Sequence, residues 1–281
     1  MDSDIEIPAS AKESDMMMSG TARMDRAWAQ TWIERWDRQQ EHYLPDREER
    51  FTALIDAVEE GTGRADPLVL DLGCGPGSLA VRLLDRIPTA TVVAVDADPL
   101  LLALGRAAYG DVTGLRFTDL DLRQPGWSAR LGLDRPADAA VSTTALHWLR
   151  EEALRAMYAE LATVLVPGGF LLDGDHLTVD EAESPTLARL DRALLEREAR
   201  RRFPEGRGET WGDWWDAVTA DPALAGHAAE RERRRTEAHH SGSETVLLAT
   251  HLAALRAAGF AETGVVWQRG ENRLLCAVRG G

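Results

Sequence analysis

The segment Val69-Leu-Asp-Leu-Gly-Cys-Gly-Pro-Gly-Ser-Leu79 decides the fold. It continues the apolar run 68–72, which is typical of a buried strand, and an amphipathic helix is predicted from Ser78. Between the two, glycine recurs at three alternate positions, Gly73, Gly75 and Gly77. Glycine has no Cβ, so the backbone can turn sharply there and a ligand can approach the main chain closely. The segment therefore predicts a strand, a ligand-binding turn and a helix.

Further along the chain, short apolar runs alternate with helical patterns. The runs predict strands at 91–95, 115–117, 137–142 and 170–172, and the helical patterns lie at 99–108 and 151–165. This alternation is typical of a parallel sheet with helices on both faces. A helix at 244–258 precedes a hairpin in which 265–267 pairs with 274–278 through the turn 269–272. The predicted fold class is α/β: a doubly wound, mostly parallel sheet with a C-terminal antiparallel hairpin and a helical cap.

The composition divides the chain into five predicted parts. Residues 1–22 are small and polar, which predicts a disordered tail. Two helices within 23–64 are predicted to form a lid, and 65–175 is the predicted ligand-binding core. Residues 176–243 are rich in Arg, Glu and Ala and are predicted to be a helical insertion that caps the substrate. Residues 244–281 are predicted to complete the core sheet.

Charge and cysteine content exclude several classes of function. The formal net charge of -15 argues against nonspecific binding to nucleic acid. The basic run 231–235 has helical spacing and is predicted to be a solvated helix face. No stretch of 18 apolar residues is present, which argues against a membrane span. Two cysteines and the adjacent pair His239-His240 cannot by themselves build a metal site. We expect a cytoplasmic protein, monomeric or homodimeric, without metal, nucleic acid or membrane.

The spacing around the turn separates two kinds of nucleotide ligand. The motif is G-x-G-x-G, whereas the dinucleotide-binding motif is G-x-G-x-x-G with a pyrophosphate at the helix N-terminus. Asp71 lies two residues before the first glycine, where its carboxylate would repel a pyrophosphate and suit a zwitterionic or cationic ligand. The pattern favours a ligand other than NAD, although a nicotinamide-dependent oxidoreductase stays an alternative.

The run V-L-D-L-G-C-G-P-G resembles the first signature of the class I (Rossmann-like) S-adenosylmethionine-dependent methyltransferases of the small-molecule type. Later elements agree in order: VVAVDAD, FTDLDLRQPGW, ADAAVSTTALHWL and LVPGGFLL. The resemblance covers residues 65–175. It implies S-adenosylmethionine as the cofactor and S-adenosylhomocysteine as the product.

The resemblance also implies where the cofactor lies. The glycine loop would wrap the amino acid end, and Asp96 would accept hydrogen bonds from both ribose hydroxyls. Asp121 would meet the adenine amino group while Leu122 packs on the ring, with Asp119-Leu120 as the alternative pair. The implied cofactor-binding residues are Asp71, Gly73, Cys74, Gly75, Gly77, Asp96, Ala97, Asp121, Leu122 and Ser142.

His147 follows the fourth strand, at the place where the family has residues that face the transferred methyl group. Its pKa suits a general base near neutral pH, but a histidine in an apolar turn can equally serve to anchor the loop. Trp28, Trp32 and Trp36 recur every four residues on one helix face, which suits either a lid or simple packing. The predicted substrate-binding residues are Trp32, Trp36, Tyr43, Trp148, Trp211, Trp215 and His239.

The predicted function is transfer of a methyl group to an oxygen or nitrogen of a small molecule. Ser142-Thr143-Thr144 stands where the nucleic-acid and glutamine methylases of this class carry Asn-Pro-Pro-Tyr or Asp-Pro-Pro-Tyr. Aromatic walls suit an apolar or cationic acceptor. A noncatalytic S-adenosylmethionine-binding protein is the other alternative.

Overall fold

The computed structural model describes residues 24–206, 208–237 and 246–281. Its strands are β1 (Leu68–Leu72), β2 (Thr91–Asp96), β3 (Leu115–Asp119), β4 (Ala137–Thr143), β5 (Leu165–His176), β6 (Phe260–Arg269) and β7 (Asn272–Arg279). They form one sheet in the order β3-β2-β1-β4-β5-β7-β6. The pairs from β3 to β5 are parallel, and β7 lies antiparallel to both β5 and β6. The predicted doubly wound sheet with a C-terminal hairpin is confirmed.

Helices connect the strands and cap one end of the sheet. They are α1 (Arg26–Tyr43), α2 (Arg47–Thr62), α3 (Ser78–Arg86), α4 (Pro99–Tyr109), α5 (Glu151–Val164), α6 (Pro185–Arg202), α7 (Trp211–Thr219), α8 (Ala225–Glu237) and α9 (Leu248–Ala257). Short 3₁₀ turns lie at Ser128–Leu131, Leu146–Trp148 and Pro222–Leu224. The predicted disordered tail and the predicted substrate residue His239 lie outside the described residues.

Several predicted boundaries are wrong. The fifth strand begins at Leu165 and runs to His176, although only 170–172 was predicted. The predicted turn Pro167-Gly168-Gly169 lies inside this strand, where Gly168 has a φ of 78° and the register with β4 shifts. Such a bulge bends a strand without ending it, so turn residues alone do not mark a boundary here. Both hairpin strands are longer than predicted, and α9 begins only at Leu248.

The core consists of two apolar layers, one on each face of the sheet. On one face Leu70, Leu72 and Val93 pack with Tyr158 of α5 and Leu255 of α9. On the other face strand residues such as Val69 and Val92 pack against α2 and α3. The helices contribute Phe51, Leu54 and Leu83 to this layer. Because both faces are covered, the central strands are continuously apolar rather than alternating.

A third apolar cluster joins the cap to the core. Trp214 of α7 is completely buried, and its Nε1 donates a hydrogen bond to the Trp32 carbonyl of α1 at 3.3 Å. The same cluster includes Leu100 and Leu104 of α4, so α1 and α7 pack over the helix that follows β2. The helices before and after the core therefore meet above the carboxyl edge of the sheet.

A buried acid fastens α6 to this arrangement. Asp46, which precedes α2, is fully buried and accepts from Arg202 of α6 and from Arg269 of β6. Burial raises the pKa of Asp46, and the two guanidinium groups counteract the rise. Removing either arginine would leave part of a buried charge unpaired, which is more costly than losing a surface ion pair.

Gly73→Ala is expected to lower the free energy of unfolding by at least about 2 kcal/mol. Gly73 has a φ of 73°, which alanine disfavours, and a Cβ there would collide with the Cβ of Ala145. Gly226→Ala is the matched control, because Gly226 is an exposed residue in the first turn of α8 where a Cβ meets nothing within 4 Å. Urea denaturation followed by tryptophan fluorescence measures both; equal stability of Gly73→Ala and the wild type would contradict the expected collision.

Candidate functional site

The glycine loop lies at the carboxyl ends of β1 and β2, beside the point where the strand order reverses between β1 and β4. Open α/β sheets bind their ligands at this kind of crevice. The Gly73 and Cys74 N–H groups both donate to the Val95 carbonyl, at 2.8 and 3.0 Å. Gly77 has a φ of 90°, and a Cβ there would lie 2.7 Å from the Phe117 ring. Neighbouring strands thus hold the loop in a shape that only glycine allows.

Asp71 lies beneath this loop as an unpaired carboxylate. The residue is fully buried, and neither oxygen accepts a well-formed hydrogen bond. Burial raises the pKa of Asp71 to about 7, the charge of Asp96 adds to the rise, and the Ala80 N–H offsets only part of it. A buried carboxylate without a donor is costly unless a cation pairs with it. The α-ammonium group of a methionine-derived ligand would provide this missing partner.

Asp96 ends β2, and each oxygen of its carboxylate already accepts one backbone hydrogen bond. One oxygen accepts from the Gly75 N–H at 2.7 Å and the other from the Asp98 N–H at 2.8 Å. Burial raises the pKa of Asp96 to about 6, although these backbone donors lower it. Each carboxylate oxygen can accept a second hydrogen bond, so two vicinal hydroxyl groups can still be accommodated. The donor set of the loop and the two acids therefore fits S-adenosylmethionine.

The acids proposed for the adenine end are already engaged in ion pairs. The Asp121 carboxylate accepts from the Arg123 side chain at 2.8 and 2.9 Å. Asp119, the alternative, forms a bidentate pair with Arg234 of α8 at 2.7 and 3.0 Å. Leu122 packs at the edge of the nearby apolar layer. An adenine contact through Asp121 or Asp119 stays a prediction.

Two arginines of α8 correct the prediction that the basic run 231–235 is a solvated face. Arg234 also donates to the Ala97 carbonyl at 2.9 Å, directly after Asp96. Arg231 pairs with Asp98 at 2.6 Å, and its guanidinium lies 3.6 Å from the centroid of the Trp215 ring. The sequence pattern missed these contacts because their acidic partners lie more than 100 residues away in the chain. The helix is thereby joined to the segment that follows β2.

Two further predicted cofactor residues have defined local roles. The Ser142 hydroxyl is buried and donates to the Leu72 carbonyl at 2.8 Å, which ties the end of β4 to the end of β1. The Cys74 thiol is buried, and burial raises its pKa well above the usual range. A thiol of this kind is unreactive. Both observations are compatible with backbone contacts to a ligand, and the contacts themselves stay predictions.

His147 forms a hydrogen-bonded pair with an acid that the sequence interpretation missed. Its Nδ1 lies 2.9 and 3.0 Å from the two carboxylate oxygens of Asp175, at the end of β5. Burial opposes ionisation of Asp175, but His147, His176 and Arg50 hold its pKa at about 2. Because an ionised carboxylate only accepts hydrogen bonds, Nδ1 carries the proton and Nε2 is the basic nitrogen.

The same pair changes the titration of the imidazole. Burial alone would lower the pKa of His147, and the positive charge of Arg50 acts in the same direction. The charge of Asp175 and its hydrogen bond outweigh both, so the net pKa is raised. An imidazole oriented by a buried carboxylate is an arrangement that enzymes use for general-base catalysis.

Arg50 of α2 lies at the centre of the polar groups at this end of the sheet. Its side chain is fully buried, and its two terminal nitrogens donate to Asn272 at 2.8 Å and to the Thr143 hydroxyl. Burial lowers the pKa of Arg50 to about 10, so the guanidinium remains charged at neutral pH. The motif D-G-D at 173–175, directly after a predicted strand, was the sequence signal that could have revealed this cluster.

A second acid, Asp173, lies deeper on the same face of β5. Both of its oxygens are buried without a hydrogen-bond partner, and burial together with the charge of Asp175 raises its pKa well above the usual range. His251 of α9 lies 3.9 Å from it, and the His251 Nδ1 shares a hydrogen bond with the Tyr158 hydroxyl at 2.7 Å. Burial lowers the pKa of His251 to about 4, so His251 is neutral at neutral pH. Arg50 and Asp175 are the charged partners of His147, which is itself charged only when protonated.

Aromatic residues connect this cluster to the cap. His147 is 5.3 Å from Trp148 between ring centroids, Trp148 is 6.4 Å from Trp211, and Trp211 is 5.7 Å from Trp215. Trp36 lies 6.1 Å from Trp215 and sits over the glycine loop, 3.8 Å from where a Cβ of Gly75 would be.

The other predicted substrate residues take different positions in this aromatic set. The Tyr43 hydroxyl accepts a hydrogen bond from the backbone N–H of Trp211 at 3.1 Å. Trp32 is buried behind the set and reaches it through Trp214. Five of the seven predicted substrate residues therefore form one continuous aromatic surface: Trp36, Tyr43, Trp148, Trp211 and Trp215. Contact with a substrate stays a prediction for all of them.

Within 24–206, 208–237 and 246–281, no three His, Cys, Asp or Glu side chains come together as a metal site. In the part of the chain that the structure describes, none of the helices combines the length and the apolar character that crossing a bilayer requires.

Comparison with known proteins shows which family the chain belongs to. The profile of a family described as a methyltransferase domain matches residues 69–169. A trans-aconitate 2-methyltransferase from Methylobacterium nodulans is 30% identical over 208 residues, which is 68% of this chain and 75% of the relative. One from Azoarcus sp. (strain BH72) is 32% identical over 163 residues, 55% of this chain and 59% of the relative.

Solved structures agree in fold. An O-methyltransferase family protein from Burkholderia thailandensis has a TM-score of 0.51 and 20% identity, covering 81% of this chain and 55% of that one. Human N-acetylserotonin methyltransferase in complex with S-adenosylmethionine has a TM-score of 0.51 and 16% identity, with coverage of 86% and 57%. At these identities the likeness shows the fold alone, while the longer sequence relationship shows the family. This chain belongs to the class I S-adenosylmethionine-dependent methyltransferases.

Proposed function

We propose that the chain transfers a methyl group from S-adenosylmethionine to an oxygen or nitrogen of a small molecule, which binds between His147 and the aromatic cap. The His147–Asp175 pair carries the proposal. The pair lies at the carboxyl edge of the sheet. His147 comes two residues after Ala145, which lies against Gly73 of the glycine loop, and its ring is 5.3 Å from that of the exposed Trp148. Membership of the methyltransferase family removes the alternative of a nicotinamide-dependent oxidoreductase. The proposed enzyme is cytoplasmic and acts as a monomer or homodimer.

The chemistry divides between the ligand and the protein. When bound, S-adenosylmethionine would supply an electrophilic methyl group. Asp71 and the glycine loop would hold the amino acid end, and Asp96 would hold the ribose. His147 Nε2 accepts the proton that a neutral acceptor loses, while Asp175 keeps the ring oriented. Positioning of the acceptor by the cap contributes a further part of the rate.

The relatives allow a second class of acceptor. They are named trans-aconitate 2-methyltransferases, so a carboxylate oxygen is the alternative to a hydroxyl or amine. A noncatalytic binding protein is the other alternative, and it predicts cofactor binding without turnover. Formation of S-adenosylhomocysteine in the presence of a panel of hydroxyl, amine and carboxylate acceptors tests the proposal. An unchanged rate of turnover in His147→Ala would contradict the proposed role of His147 as the general base.

Asp96→Ala is expected to weaken S-adenosylhomocysteine binding at least about 100-fold, because two hydrogen bonds to a charged group are lost. Isothermal titration calorimetry measures the change. Asp134→Ala is the control, since Asp134 is an exposed aspartate before β4, at the opposite edge of the sheet. A thermal unfolding curve shows whether the Asp96 variant is folded. Unchanged affinity in a folded Asp96→Ala protein would refute the assignment of the ribose site.

The His147 imidazole is expected to titrate at a higher pH than an ordinary histidine. In Asp175→Asn only burial and the charge of Arg50 act on the ring, and both favour its neutral form, so its pKa should fall below the ordinary value. Nuclear magnetic resonance of labelled imidazoles measures this, and His147→Ala identifies the resonance among the seven histidines.

Glu271→Gln is the matched control for this titration, because Glu271 pairs with His176 and not with His147. It should leave the His147 titration unchanged. The general base must be neutral to act, so the rate of the wild type should rise with pH through the raised pKa. The maximal rate of the Asp175→Asn enzyme should be smaller than that of the wild type, and it should be reached at a lower pH. A His147 pKa that does not respond to Asp175→Asn would contradict the proposed pair.

A further inference from the structure

We infer that the acceptor is a neutral aromatic hydroxyl compound, a phenol or its fused-ring counterpart, rather than a carboxylic acid. The inference rests on the proposed function and adds the chemical class of the acceptor. Three features of the described residues lead to it: an exposed aromatic face beside His147, the state of the charges behind that face, and the presence of an oriented base.

The aromatic face consists of Tyr43, Trp148 and Trp211. They are 40%, 40% and 38% exposed, and the Trp148 and Trp211 rings are inclined by only 26°. The remaining large exposed apolar side chains of the described residues lie elsewhere, on α6 and β6. Exposed aromatic rings beside convergent polar groups are typical of a small-molecule site.

This face is held from behind. Trp215 is 8% exposed and contacts Trp211, and the fully buried Trp214 contacts Trp215 at a centroid distance of 5.0 Å. The rings therefore keep their positions when no ligand is bound. A preformed aromatic wall binds a flat ring with little loss of conformational entropy, and offset or edge contacts between rings add to the affinity.

The charges at the site disfavour an anionic acceptor. The charged groups that act on His147 are Asp175 and Arg50. Asp175 is an anion directly behind the imidazole. Arg50 is fully buried, and its terminal nitrogens are already bound to Asn272 and Thr143. A carboxylate placed against neutral His147 would thus face the negative charge of Asp175, and buried Arg50 presents no exposed nitrogen to it.

The base itself distinguishes the acceptor classes. A carboxylic acid is already ionised at neutral pH, so its methylation requires no proton acceptor. A phenol has a pKa near 10, as tyrosine does, and an imidazole with a raised pKa can accept its proton as the new bond forms. An alkyl amine is protonated at neutral pH and would have to lose a proton before it could react. A His–Asp pair on an aromatic face therefore suits a phenol best.

The step balances without a further reactant. The phenol O–H bond breaks and its proton goes to His147 Nε2. The oxygen forms a bond to the methyl carbon while the carbon–sulfur bond breaks, and that electron pair remains on sulfur. The products are a methyl aryl ether and S-adenosylhomocysteine, and the imidazolium then releases the proton to water.

Calorimetry on the full chain tests the inference in two stages. The first stage measures S-adenosylhomocysteine binding, and failure to bind would defeat the proposed function itself. The second stage titrates the S-adenosylhomocysteine complex with 2-naphthol, with 2-naphthoic acid as the carboxylate of the same shape, and with trans-aconitate. We expect 2-naphthol to bind at least about tenfold more tightly than either acid, and S-adenosylmethionine to convert it to its methyl ether.

Variants then locate the site. Trp148→Leu and Trp211→Leu should each weaken 2-naphthol binding about three- to tenfold, as expected for the loss of one aromatic contact. Leu190→Ala, which alters an exposed apolar residue of α6, should leave it unchanged. His147→Ala should bind 2-naphthol and fail to methylate it. Tighter binding of either acid, no binding of 2-naphthol, or binding without ether formation would each overturn the inference while leaving the cofactor site intact.

Discussion

A buried carboxylate and a partly buried one beneath one glycine turn set the constraint on which the rest of this structure depends. Asp71 accepts no well-formed hydrogen bond, and Asp96 accepts from backbone donors. Low polarity around them raises both pKa values, so each negative charge is poorly compensated without a ligand. Such groups lower the stability of the protein without a ligand, and they favour the binding of a ligand that carries a cation and two hydroxyl groups. The glycines follow from this constraint, because a Cβ at Gly73 would collide with Ala145 and one at Gly77 would collide with Phe117 where the loop passes over these acids.

A second pair of acids, at the end of β5, is handled in the opposite way. His147 and Arg50 compensate the charge of Asp175 and lower its pKa, whereas burial and the charge of Asp175 raise the pKa of Asp173, two residues earlier, well above its usual range. Close carboxylates whose surroundings separate their pKa values are characteristic of sites that move protons. The contrast gives the two halves of the crevice different tasks. In the proposed function, the half at β1 and β2 would hold the cationic ligand, and the half at β4 and β5 would present the basic nitrogen of His147.

The sequence pointed to every member of the first half and, in the second, to His147 alone. The glycine loop, Asp71 and Asp96 lie within the 26 residues 71–96, so local spacing after a strand was enough to single them out. Arg50 and Asn272 are 222 residues apart, so only the packing of α2 against the sheet end brings them together. Asp175 was missed because the predicted strand ended at Leu172. The prediction for the arginines of α8 was wrong for the same reason. A helical pattern shows which residues share a face, but it does not show which distant acids that face contacts.

The cap covers both halves, and its two edges are held by forces of different strength. Trp36 lies over Gly75, and Asp37 accepts from the Ser78 hydroxyl at 2.6 Å, so α1 rests directly on the cofactor loop. On this side the buried Trp214 anchors α7, and removal of such a side chain costs several kcal/mol in typical cores (about 3–5). On the other side α8 is held through Arg234 and Arg231, whose ion pairs are partly exposed to water and therefore weak. The contacts that hold α8 are thus more exposed than the buried contacts of α1 and α7, but α8 is also joined to the aromatic face, because Arg231 lies over the Trp215 ring that supports Trp211.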